Sequence, residues 1–177
     1  MIIIRQEQPT DYRNTENVVK NAFSTVEISD KKEHELVSRL RKSEAFIPEL
    51  SFVAVSEDTN EILAHILLTK IKIKNDHLSV ESLALAPVSV LPEYQNKGIG
   101  KSLILESLKI AKAVGYQSVV VLGHPDYYPK FGFKPTSQWG IRLPFDVSEK
   151  YFMALELEDR ALENVDGIVE YSRAFFE

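Results

Sequence analysis

The chain has 177 residues, 44% of them hydrophobic, a formal net charge of −5 at pH 7 and no cysteine. That length buries one substantial core, and the acidic balance offers no electrostatic reason to bind nucleic acid or an anionic membrane. The absence of cysteine excludes disulfides, thiolate zinc sites and a cysteine acyl-enzyme intermediate.

In chain order, Met1 to Glu7 reads as a first strand, and Thr10 caps a helix whose inner face carries Val18, Val19, Ala22 and Phe23. Asp30 with Glu33 three residues on forms a capping box for a second helix bearing Leu36, Val37 and Leu40. Ser51 to Ser56 and Ile62 to Lys74 form an antiparallel hairpin around the turn residues Glu57 to Asn60. Leu78 to Leu91 is too long and too proline-marked for a plain central strand. Pro87 cannot donate to a ladder, so a bulge or splay is expected around Ala86 and Pro87.

A polar loop, Pro92 to Gly98, then leads into an amphipathic helix. Its apolar positions are Leu103, Ile104, Leu108, Ala111 and Val114, and Gly115 ends it. The start of a helix presents unpaired N–H groups and the positive end of its dipole, which suits an anion. Gly98 and Gly100 let the backbone approach that anion closely. Two other phosphate motifs fail on specific residues. A nucleotide P-loop needs glycine where Gln95 stands, and a dinucleotide fingerprint needs glycine where Leu103 stands.

Ser118 to Leu122 reads as a buried parallel strand reached by a right-handed crossover, followed by a short helix or turn over Pro125 to Phe131. Trp139 to Leu143 and Tyr151 to Leu157 supply a last hairpin. Beyond a linker-like stretch from Asp159 to Gly167, Ile168 to Tyr171 adds an edge strand. The organisation expected is one domain over 1–157, with 158–177 as a C-terminal extension packed on it.

Gln95-x-x-Gly98-x-Gly100 after a strand resembles motif A of the GNAT superfamily of N-acetyltransferases. Tyr127-Tyr128-Pro129-Lys130-Phe131-Gly132-Phe133 resembles the family's Tyr-x-x-x-Gly-Phe signature. The resemblance implies a mixed α/β fold whose mostly antiparallel twisted sheet, flanked by helices, has a splayed central strand. It also implies acetyl-CoA as co-substrate. The backbone near Val88, Ser89 and Val90 would then pair with the pantetheine amides, while the loop and helix start from Gln95, Asn96, Lys97, Gly98, Ile99 and Gly100 to Lys101 and Ser102 would hold the pyrophosphate. Phe131 would touch the cofactor.

The activity implied is transfer of an acetyl group to a primary amine of a small molecule or peptide, by direct attack within a ternary complex. The alternative is a catalytically weak acyl-CoA-binding sensor or regulatory module. An acyl group larger than acetyl, or an alcohol acceptor, is a third possibility. A departing thiolate needs a proton, and a tyrosine hydroxyl with an ordinary pKa of about 10 retains one at neutral pH. Tyr128, four residues before Gly132, is the expected donor, with aromatic packing as its other reading.

The attacking amine must be neutral, and Glu81, on the strand face of Leu83 and Leu85, is the candidate base. A solvent-facing glutamate is the other reading of that position. His65 and His124 are further candidates for contact with substrate, and Lys97, Lys101, Lys130 and Lys134 are the cations nearest the motifs. The four histidines show no metal-ligand spacing, so no metal is expected. No apolar run reaches membrane-spanning length, and Met1 to Arg5 lacks a signal-peptide layout. A cytoplasmic monomer or homodimer is expected.

Overall fold

The computed structural model describes residues 1–27 and 29–176. Its elements in chain order are β1 (Ile2–Gln6), α1 (Tyr12–Phe23), α2 (Glu33–Arg41), β2 (Ser51–Ser56), β3 (Ile62–Lys74), β4 (Ser79–Val90), α3 (Ile99–Ala113), β5 (Ser118–Leu122), β6 (Lys134–Pro135), β7 (Ile141–Arg142), β8 (Phe152–Glu156) and β9 (Gly167–Glu170). The strands form one mixed sheet in the order β1-β2-β3-β4-β5-β8-β6, mostly antiparallel, with β4 and β5 parallel. No helix among the described residues is long and apolar enough to cross a membrane.

Strand alternation gives the sheet two apolar faces. On one, Ile66, Leu68, Leu83, Leu85, Val119 and Val121 pack against Leu103, Ile104, Leu108 and Ala111 of α3. On the other, Ala84, Val120 and Ala154 meet Ile141, Leu162, Val165 and Val169, while Leu67 meets Val19 of α1 and Val37 and Leu40 of α2. Fully burying each such side chain is worth about 1.5–3 kcal/mol, so the helices are held by these stripes more than by propensity.

Local details depart from the sequence reading at five places. Thr10 lies inside a 3-10 turn, Pro9–Asp11, and Asp11 is the residue that precedes α1. Asp11 also accepts the Gln8 N–H at 2.8 Å and a two-pronged bond from Arg5 at 2.7 and 3.0 Å. Asp30 accepts the Lys32 N–H at 2.8 Å instead of closing a box with Glu33, whose carboxylate takes the Ser29 hydroxyl.

Trp139 to Leu143 does not form a hairpin with Tyr151 to Leu157. β8 pairs with β5 and β6, and β7 pairs in parallel with β9. β9 in turn pairs with Lys72, Ile73 and Lys74 of β3, so it lies between two strands and is not an edge. Gly167 permits this pairing: a Cβ there would collide with the Lys74 carbonyl. The stretch before β9 is no linker either. Leu162 and Val165 are buried, and the Leu162 N–H donates to the Glu156 carboxylate at 2.9 Å.

A polar cluster is sealed beneath α1 and α2. Arg41 bonds Glu7 at 2.7 Å and Glu16 at 2.8 Å. The Ser51 hydroxyl donates to Glu7 at 2.7 Å and lies 3.0 Å from His65 Nε2. That leaves the Ser51 oxygen to accept from Nε2–H, which assigns the imidazole proton to Nε2. Burial pushes the His65 pKa down to about 4 against the pull of Glu7, so the ring is neutral at pH 7. Arg41 is then the cation that keeps Glu7 ionised.

This cluster makes stability depend on pH. The unfolded imidazole takes its proton near pH 6.5, whereas the folded ring does so only near pH 4. Between those values the unfolded state binds more protons, so stability falls as pH is lowered, by at most about 3 kcal/mol from this group. Urea denaturation at pH 7, 5.5 and 4 should show that loss, and His65→Gln should flatten it. An identical slope in the variant would assign the loss to other groups.

Candidate functional site

β4 cannot stay flat against both neighbours. Leu85 opposes Leu68 and Val88 opposes Ile66, leaving Ala86 and Pro87 together against Leu67 as a bulge. On its other side β4 pairs with β5 only at Leu83–Val119 and Ala84–Val120. β5 runs on to Leu122 in register with Phe152 of β8. Beyond Ala84 the two parallel strands therefore part, and β4 from Leu85 to Val90 has no ladder on that side. Val88 and Val90 turn half-buried side chains to the α3 face, while Ser89 is buried toward the opposite one.

The chain leaves the open end of β4 through a 3-10 turn, Pro92–Tyr94, and enters α3 at Gly98. Gln95 is tied back by a 3.0 Å bond from its amide to the Val90 carbonyl. Asn96 and Gly98 take positive φ, 62° and 84°. Gly98 has open space where a Cβ would stand, so the left-handed backbone and not crowding calls for glycine there. As the residue preceding α3 it supplies no capping side chain, so the first N–H groups of the helix keep their capacity for an anion.

Ile99 is buried in the core, leaving only its backbone to face a ligand. Lys97 lies with its ammonium 5.5 Å from the Tyr94 ring centre, and Lys101 and Ser102 are exposed on the first turn.

On the other side of the gap, β5 ends at Leu122, Gly123 follows, and the chain turns back through Tyr128–Phe131. Tyr127 and Tyr128 both donate backbone N–H groups to the His124 carbonyl, at 3.1 and 3.3 Å. Tyr128 is wedged among aromatic rings, at centroid distances of 5.2 Å from Tyr127, 6.4 Å from Phe131 and 5.7 Å from Phe133. Burial pushes its pKa up to about 12, so the hydroxyl is protonated at any physiological pH. Gly123 is the residue that lets the ring lie there, because a Cβ at that position would collide with it.

The expected residues do not all meet. The loop from Gln95 to Ser102 continues from the open edge at Val88 to Val90, and Tyr128 and Phe131 pack on the same core as Val88 and Val90. Glu81 does not join them. It is exposed, opposes Lys72 of β3, and precedes Leu85 by about 13 Å along the strand at ~3.3 Å per residue. His65 belongs to the sealed cluster beneath α1. His124 is exposed and accepts the Asp126 N–H at 3.2 Å, which organises the turn. Gly123 was not anticipated from sequence; a glycine ending an apolar strand five residues before the signature tyrosine is the signal that was available.

Residues 16–133 match the acetyltransferase (GNAT) family, and the chain belongs to that family of acyltransferases. Among curated relatives, the protein named uncharacterized N-acetyltransferase YjhQ of Escherichia coli strain K12 is 37% identical over 121 residues, 68% of this chain and 66% of that one. Uncharacterized N-acetyltransferase YhbS of the same strain is 29% identical over 174 residues, 98% of each chain.

Two solved structures are also similar. The crystal structure of Escherichia coli YhbS in complex with CoA superposes with a TM-score of 0.88 at 26% identity, covering 99% of this chain and 92% of that one. A GNAT family acetyltransferase from Brucella melitensis in complex with acetyl-CoA gives 0.80 at 33% identity, covering 99% and 98%.

Gly123→Ala tests the packing at the gap. It should force the Tyr128 ring out of place and destabilise the protein by about 1–3 kcal/mol, as overpacking does. Urea denaturation reads the loss. An unchanged midpoint would mean that the ring does not rest on this glycine.

Proposed function

We propose that this chain transfers an acetyl group from acetyl-CoA to a primary amine of a small molecule or peptide, by direct attack in a ternary complex. The observation that carries the reading is the parting of β4 and β5 beside the core that α3 completes, with two further features next to it. The features are the unladdered edge of β4 after Ala84, the uncapped start of α3 at Gly98, and Tyr128 in the turn that follows β5. Their chemistry matches the parts of acetyl-CoA: main-chain groups for the pantetheine amides, helix N–H groups for the pyrophosphate, and a hydroxyl able to give a proton to the sulfur. The CoA and acetyl-CoA complexes of the two similar structures support the same assignment.

Acetyl-CoA supplies an electrophilic thioester whose carbonyl carbon accepts the amine and whose thiolate departs. The chain's own residues do the rest. Gln95 to Gly100, with the first turn of α3, hold the phosphates by main-chain groups, and Lys97, Lys101 and Ser102 stand close enough to add to that hold. Val88, Ser89 and Val90 offer backbone donors and acceptors along the open edge, and Phe131 would touch the cofactor. Tyr128 keeps its proton until the sulfur needs it. The proton given up by the attacking nitrogen balances the one that Tyr128 donates. Glu81 takes no part, since it stands at the other end of β4.

Tyr128→Phe should lower kcat by about 10²–10⁴-fold, the usual weight of a general acid, with little change in acetyl-CoA affinity by calorimetry. In the unmodified protein, kcat/KM should rise with pH as the amine loses its proton. Because burial raises the Tyr128 pKa to about 12, no falling limb should appear below about pH 11. Full activity in the variant would reduce Tyr128 to packing.

A further inference from the structure

The face of the sheet opposite α3 holds a second feature at the same gap. A cavity of about 210 Å³ is floored by Ala84 to Ala86 of β4 and Val120 to Leu122 of β5, so it begins where the two strands part. Its walls come from far along the chain: Phe145, Tyr171, Phe175 and Phe176. These rings brace one another. Phe145 and Tyr171 stack with centroids 6.0 Å apart and planes at 28°, Tyr171 meets Phe175 edge-on at 5.0 Å, and Phe176 stands 6.3 Å from Tyr171. The tail that carries them is anchored by a 2.9 Å bond from Arg39 to the Ala174 carbonyl.

Resting on the acetyltransferase reading above, we infer that this cavity is the acceptor pocket and that it takes a primary amine bearing an aromatic ring. Four observations carry the choice. The cavity touches both strands of the gap, on the side away from α3, so an amine seated there meets a thioester held from the α3 side. Among the described residues its lining contains no carboxylate and no cation, so a polyamine would have to strip water from charges that find no partner there. Its size suits a ring, since an apolar cavity of about 150 Å³ holds benzene. Flat aromatic walls also favour offset or edge contacts with another ring.

The mouth distinguishes this occupant from a long acyl chain. Phe176 is 64% exposed, Phe145 41% and Leu122 40%, so the cavity opens to solvent through an apolar rim. A free acceptor needs such an entrance, whereas an acyl chain arrives already attached to its carrier through the gap. A larger depression of about 730 Å³, lined by Glu156, Arg160 and Glu163 among others, includes no residue of β4 or β5 and offers no comparable site.

The test measures release of free coenzyme A from acetyl-CoA with three acceptors: 2-phenylethylamine, n-butylamine and spermidine. Acetyl-CoA binding is followed separately by calorimetry. The kcat/KM for 2-phenylethylamine should exceed the other two by about tenfold or more, the effect of burying a ring. Phe175→Ala should erase that preference without changing acetyl-CoA affinity. Phe145→Ala, at a half-exposed position that the fold tolerates more readily, should do the same.

If acetyl-CoA binds but the three amines react alike, spermidine leads, or none reacts, the aromatic acceptor is overturned and the acetyltransferase reading stands. If hexanoyl-CoA is the better donor and Phe175→Ala abolishes that advantage, the cavity belongs to the acyl chain and the inference is likewise overturned. If acetyl-CoA itself fails to bind, both fall.

Discussion

Everything of functional interest in this chain depends on β4 and β5 starting together and failing to stay together. Their pairing is limited to Leu83–Val119 and Ala84–Val120. The reason is local. Ala86 and Pro87 are crowded against one residue of β3, Pro87 has no N–H to donate, and β5 is committed to β8 along its whole length. A sheet that closed here would leave no main-chain groups for a ligand. Parted, it exposes them at the centre of a rigid scaffold.

That opening is stable because each face of the sheet is propped separately. On the α3 side, Tyr127, Tyr128, Phe131 and Phe133 pack on the core that α3 completes. On the other, Tyr171 and Phe175 pack on the core built by Ile141, Leu162 and Val169. The two aromatic groups differ in kind. The first places the Tyr128 hydroxyl in the turn after β5, and the second walls a cavity with the rings of Phe145, Tyr171, Phe175 and Phe176. The asymmetry fits a reaction in which a carrier and an acceptor approach one bond from opposite sides of a sheet.

Much of this was readable in the residues, and the failures have physical causes. The Ser51–Ser56 and Ile62–Lys74 hairpin and the Ser118–Leu122 strand stand where alternation and apolar runs put them. The bulge sits at Ala86 and Pro87 because proline's missing N–H is a local fact. What sequence could not supply were long-range pairings of very short strands. β6 and β7 have two residues each, too few for a period, and β9, the partner of β7, is placed by Gly167 against Lys74 and by burial of Leu162 and Val165. The same limit hid the aromatic cavity, whose walls come from residues 145 and 171–176. Glu81 shows a different limit: strand alternation fixed its face but not how far along β4 the gap begins.

The central claim is that the gap and the Gly98 helix start together hold acetyl-CoA. The most direct measurement is a calorimetric titration of the purified protein and of Gly98→Val with acetyl-CoA, with ATP and NAD as controls. Saturable binding of acetyl-CoA alone is expected. A Cβ-branched residue forced into the left-handed backbone at Gly98 should weaken that binding by about tenfold or more through the displaced N–H groups. Absence of binding to well-folded protein, or equal affinity in the variant, would contradict the assignment of this loop and helix start to the cofactor.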